Sequence, residues 1–138
     1  MREDDVLRWL ERFKKLDELM RINVSEREKA IAYATRCTSS IDGMPRGGSG
    51  KADRVADGAV RKAALEAEFK GLEKERQGKM EVLKQLPPDE YGVLYRIYVR
   101  RITRWETACE MHFSEVSVWR IKKRATSMLA KLLTEKAG

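Results

Sequence analysis

Residues 103–125 constrain the fold more than any other stretch, because two short amphipathic helical patterns meet there across only two residues, His112 and Phe113. Thr103 and Ser114 each stand just before one pattern, and both are residue types whose side chains cap helix N-termini. Apolar spacing predicts an inner face of Ile102, Trp105, Ala108, Cys109 and Met111 on the first helix. On the second it predicts Val118, Ile121 and Ala125, continued by Met128, Leu129 and Leu132. So short a connection makes the helices cross steeply, and the small Ala108 suits a close crossing. This is the arrangement that a helix-turn-helix requires.

The surroundings of that corner are basic. Across the 138 residues the net charge is +7, with an excess of +3 over residues 1–85 and +4 over the shorter 86–138. Arg100, Arg101, Arg104, Lys122 and Arg124 flank the two helices as candidate clamps for backbone phosphates, with Ser114 at the second helix start. With Val118 and Ile121 facing inward, Glu115, Val116, Ser117, Trp119, Arg120 and Lys123 turn outward as candidate base contacts in a major groove. Arg120 is the expected base reader, since a guanidinium can donate two hydrogen bonds to one guanine edge. Trp119 keeps two readings, packing on DNA or burial against the N-terminal helices or a second subunit. Trp105 is expected in the core.

The rest of the chain reads as helix. Residues 4–40 carry Val6, Leu7, Leu10, Phe13, Leu16, Met20, Ala30, Ile31 and Ala34 at helical spacing. A capping-box pattern at Ser25 and Glu28 allows a restart near Asn23, and one bent helix is the favoured reading. Residues 41–51 are rich in glycine and read as a loop. Its Gly47, Gly48, Ser49, Gly50 and Lys51 lack the spacing of a phosphate-binding loop, which would need glycine where Pro45 stands and Ser or Thr where Ala52 stands. Residues 52–85 form a second long helix with Val55, Val60, Ala64, Leu65, Phe69, Leu72, Met80 and Leu83 inside, weakened by Gly58, Gly71 and Gly78. Pro87 and Pro88, then Asp89 and Glu90, start a further helix whose inner stripe is Val93, Leu94, Ile97 and Tyr98.

The fold expected is therefore all-α: a long N-terminal antiparallel helical hairpin over residues 1–85, with its loop at about 41–51, followed by a trihelical helix-turn-helix unit over residues 86–138. A narrow hairpin leaves apolar surface for a third helix or a second subunit, and a homodimer is the natural expectation. No stretch approaches the roughly 18 apolar residues of a membrane span, and the acidic start at Glu3, Asp4 and Asp5 argues against a secretory leader. Cys37 and Cys109 lack ligand-spaced partners and read as free thiols in a reducing cytoplasm. No metal, cofactor or catalytic constellation is expected, and the single His112 has no nucleophilic or acidic neighbour in sequence.

Residues 98–129 resemble region 4 of bacterial sigma factors. The resemblance is carried by an aromatic before the turn, Thr103 and Trp105 opening the first helix, Ala108 within it, Ser114 starting the second, then Val118, Ile121 and Ala125. The whole chain further resembles the small phage transcriptional regulators of the ArpU and RinA type, with residues 44–53 similar to their glycine-containing loop followed by aspartate. One departure is His112, where the family often has glycine. The resemblance implies a sequence-specific double-stranded DNA-binding regulator that switches on phage or prophage late or packaging genes in a bacterial host. Two alternatives accompany it: regulation by binding RNA polymerase or a sigma factor, and a helical packaging adaptor.

Overall fold

The computed structural model describes residues 2–39 and 49–137, and the described residues form five α-helices and one π-helical turn, without strands. The helices are α1 (Glu3–Ser39), α2 (Ser49–Leu83), α3 (Pro88–Leu94), α4 (Arg104–Met111) and α5 (Glu115–Ala137). The π-helical turn, Tyr95–Val99, continues directly from α3. Residues 40–48, most of the predicted glycine-rich loop, lie outside the described residues. Ser49, Gly50 and Lys51, expected in that loop, instead form the first turn of α2. α1 runs without interruption through Ser25, so the Ser25 and Glu28 pattern does not restart a helix.

Packing groups the chain into two compact units, one of residues 1–17 with 75–138 and one of residues 18–74. This grouping differs from the division by role expected at residues 85 and 86, because Val6, Leu10 and Phe13 share one core with Val82, Leu83, Leu86, Leu94, Val99, Ala125, Leu129 and Leu133. In that first unit the start of α1 runs antiparallel to the end of α2. Arg12 Nε donates to Glu75 at 2.9 Å, and Lys79 Nζ donates to the Trp9 carbonyl at 2.9 Å while lying 4.0 Å from the Trp9 ring centre. Arg76 bonds Asp17 at 2.9 Å. Pro88 occupies the first turn of α3, where its missing N–H costs nothing, and the acidic Asp89 and Glu90 favour that N-terminus.

The unit of residues 18–74 is an antiparallel pair of helical segments. Asn23 Nδ2 donates to the Leu65 carbonyl at 2.8 Å, Arg61 bonds Glu26 at 2.7 Å, and the Arg27 guanidinium lies 4.6 Å from the centre of the Phe69 ring. A Cβ on Gly58 would meet Ala34 Cβ at 3.2 Å and the Ala30 carbonyl at 3.5 Å, so this glycine is where the two backbones approach closely. Gly71 and Gly78 face open space and carry only the helix-weakening cost. The predicted apolar stripes are only partly inward here. Ile31 is 47% and Val60 70% exposed, and Val55 is exposed as well, because Asn23, Ala30 and Gly58 take the inward positions.

Burial and the stacked charge give Lys79 a definite pH signature. Burial lowers its pKa from 10.5 to about 8, partly countered by the Glu75 carboxylate, while Arg12 lowers it further. Between those two values the unfolded chain holds a proton that the folded chain has released, so stability rises with pH across that window. Burial raises the pKa of Tyr91 and Tyr98, and their opposing effect begins only above tyrosine's ordinary 10.0. Urea denaturation at about pH 7.5 and about pH 9.5 is predicted to show a gain of about 1–2 kcal/mol that Lys79→Met removes. A flat or falling profile in the unsubstituted protein contradicts this account of the buried ammonium.

Candidate nucleic-acid interface

The corner is built by local hydrogen bonds that the sequence encodes residue by residue. Thr103, in an extended conformation, accepts the Glu106 N–H at 3.1 Å and so caps α4. Thr107 is fully buried, its hydroxyl donating to the Thr103 carbonyl at 2.9 Å, which satisfies the polar atom within the helix itself. α4 stops because His112 adopts the left-handed conformation, with φ 59° and ψ 38°. Its N–H then donates to the Cys109 carbonyl at 3.4 Å, and the Phe113 N–H to the Ala108 carbonyl at 3.0 Å, the paired bonds of a Schellman ending. Ser114 accepts the Ser117 N–H at 3.1 Å and caps α5. Histidine thus takes the position that glycine takes more cheaply, and the corner keeps its form.

Val118, Ile121, Ala108 and Val93 close a small core behind the corner, with Met111 and Ile97 against it. Gly92 matters to this packing, since a Cβ there would lie 3.0 Å from Met111 Cε and 3.1 Å from an Arg96 nitrogen. Trp105 and Cys109, expected inside, are exposed, Trp105 by 64%. The inward face of α4 is Thr107, Ala108 and Met111 instead. Eight residues give too few turns for apolar spacing alone to set the rotation of a helix, and an internally bonded threonine can occupy a core position that a tryptophan would overfill. On α5 the expected inner face holds throughout: Val118, Ile121, Ala125 and Leu129 are buried, and Met128 and Leu132 are half-buried.

Ion pairs divide the basic residues into two sets. Arg100 bonds Glu110 at 2.6 Å, with Arg96 3.5 Å from the same carboxylate, which ties the end of α4 to the π-helical turn. The Arg100 hydrogen bond holds the Glu110 carboxyl below its usual range and raises Arg100 in turn. Arg124 bonds the buried Glu90 at 2.6 Å, joining α5 to the first turn of α3, and Arg101 lies 3.8 Å from Asp17. Arg101 is itself left-handed, with φ 58°, where the chain leaves the π-helical turn. Of the six expected phosphate contacts, Arg100, Arg101 and Arg124 are therefore already paired with carboxylates, and Ser114 serves as a cap. Lys122 Nζ lies 5.6 Å from the centre of the Tyr98 ring. Arg104 is exposed and pairs with no carboxylate among the described residues.

The expected base contacts sort by exposure. Glu115, Val116, Trp119, Arg120 and Lys123 all face outward on the first turns of α5. Val116 is 59% and Trp119 43% exposed. Ser117 is half-buried, and its hydroxyl oxygen accepts from Ser114 at 3.0 Å, which draws it toward the cap and away from the outer face. Lys123 Nζ sits 4.3 Å from the centre of the Trp119 ring. Arg120 and Lys123 pair with no acidic residue among the described residues. Cys109 is a free, exposed thiol, and no group of three or more His, Cys, Asp or Glu among the described residues is placed to hold a metal ion. No described helix is long and apolar enough to cross a membrane.

Compared with known proteins, the chain matches no protein-family model, no curated protein sequence and no solved structure.

The corner's stability tests its geometry. A left-handed non-glycine residue costs about 1–2 kcal/mol, partly offset by the smaller entropy that histidine loses on folding compared with glycine. His112→Gly is predicted to stabilise the fold by about 0.5–1 kcal/mol, and His112→Val to destabilise it by at least about 1 kcal/mol, in urea denaturation. A glycine variant less stable than the parent contradicts the left-handed assignment.

Proposed function

We propose that this chain is a sequence-specific double-stranded DNA-binding transcriptional regulator that sets α5 in the major groove. The single observation that carries the reading is the outer face of α5, where Val116, Trp119, Arg120 and Lys123 stand exposed, directly after a capped two-residue corner, with no carboxylate paired to their charges. In this reading α3, the π-helical turn, α4 and α5 make up the trihelical helix-turn-helix unit. Arg120 reads a base edge, Glu115 and Lys123 flank it, and Arg104 and Lys122 hold phosphates. Arg100, Arg101 and Arg124 keep the unit's shape and exchange their carboxylates for phosphate only at the rim of the contact.

The resemblance to sigma factor region 4 and to phage regulators of the ArpU and RinA type extends this reading to activation of phage or prophage late or packaging genes, in the cytoplasm of a bacterial host. Residues 1–85 are then the helical hairpin that binds a second copy. Exposed apolar side chains at Ile22, Val24, Tyr33, Val55 and Val60 support that role, since such surface is costly to leave in water. A second reading, contact with RNA polymerase or a sigma factor, is favoured by the exposure of Trp105 on α4, an aromatic of the kind that protein interfaces bury.

Selection of duplexes from a random pool, followed by fluorescence anisotropy at increasing salt, tests the reading. The chain is predicted to enrich a defined sequence and to lose affinity steeply with salt, with a slope of log K against log salt of about −3 for each bound unit, as Arg104, Lys122 and the flanking Lys123 displace counterions. Arg120→Ala is predicted to weaken the selected duplex about tenfold or more and to relax preference at one base position. Unchanged sequence preference in that variant overturns the placement of α5.

A further inference from the structure

Directly after Glu115, the outer face of α5 carries two exposed apolar groups. Val116, Trp119, Arg120 and Lys123 fall at positions i, i+3, i+4 and i+7, so they form one stripe down the helix. The other large apolar residues of α5, from Val118 to Leu133, are buried or half-buried, while Val116 and Trp119 stay in solvent. The Ser117 hydroxyl is engaged with Ser114 instead of being presented on this stripe. Lys123 Nζ, 4.3 Å from the centre of the Trp119 ring, adds a cation beside the apolar pair. The stripe thus presents two apolar side chains followed by uncompensated positive charge.

A duplex major groove matches this order of chemistry. Its base edges carry one apolar group, the C5 methyl of thymine, among hydrogen-bonding atoms and close to phosphates. We propose that Val116 and Trp119 form the wall that receives a thymine methyl, adjacent to the base edge read by Arg120, so that the target sequence requires thymine at that place. The inference rests on the DNA-binding reading above and names the base that it reads. On this face Arg120 and Lys123 outweigh the single carboxylate of Glu115, and with Arg104 at the start of α4 they supply the charge complementarity that selects a nucleic acid over a protein as the occupant.

The test uses the full chain and the duplex that it enriches from a random pool, with each thymidine replaced in turn by deoxyuridine, which removes the methyl and nothing else. One replacement, or two adjacent ones, is expected to weaken binding about three- to tenfold in the parent protein. Val116→Ala is expected to bind the thymidine duplex more weakly and to lose most of that discrimination, and its exposed position leaves folding intact. Equal binding of all deoxyuridine duplexes by the parent overturns the inference and leaves the DNA reading standing. Discrimination that persists unchanged in both Val116→Ala and Trp119→Ala likewise overturns it. If no duplex is enriched, both readings fall together.

Discussion

The structure depends on one shared apolar core, in which Val6, Leu10 and Phe13 from the start of α1 meet Leu83 at the end of α2, Leu86 in the turn after it, and Leu94, Ala125 and Leu129 from the C-terminal helices. α3 has seven residues and α4 eight, lengths at which a helix in water is not stable alone. Burying each large side chain contributes about 1.5–3 kcal/mol, and that contribution from the long helices is what allows such short elements to persist. The small core of Val93, Ala108, Val118 and Ile121 then has a fixed support behind it. The corner is held from behind by packing and from within by caps.

Electrostatics adds a second layer. A chain with this much positive charge repels itself unless some of the charge is compensated, and here carboxylates take up particular arginines: Glu110 holds Arg100, Glu90 holds Arg124 and Asp17 lies near Arg101. The exposed Arg100–Glu110 pair contributes little to stability individually, whereas Arg124 satisfies a buried carboxylate. The larger effect of these pairs is to sort the cations. Around the corner, Arg104, Arg120, Lys122 and Lys123 have no carboxylate partner among the described residues, at the start of α4 and along the first turns of α5.

Much of this was legible in the sequence wherever a residue's chemistry acts locally. Thr103, Ser114 and the Pro87–Pro88 pair declare helix starts because capping depends on one side chain and its nearest backbone. The inner face of α5 was legible because a long helix repeats its apolar spacing often enough to fix its rotation. Failures occurred where tertiary context decides. Trp105 faces solvent and Thr107 the core, since eight residues do not set a rotation and threonine can bond its own helix. Nothing in the composition of residues 95–101 announces a π-helical turn closing on a left-handed Arg101. Asn23 and Gly58 read as a break and a weakness, yet they are points of helix-to-helix contact, which only the partner segment reveals.

The central claim, that the outer face of α5 contacts duplex DNA, is tested most directly by backbone amide chemical shifts of the full chain as an enriched duplex is added. The account predicts the largest changes over residues 115–124, with smaller ones near Arg104, and little change in residues 18–74 beyond those of any dimer already present. Changes confined to residues 18–74, or centred on Trp105 while α5 stays unperturbed, contradict it.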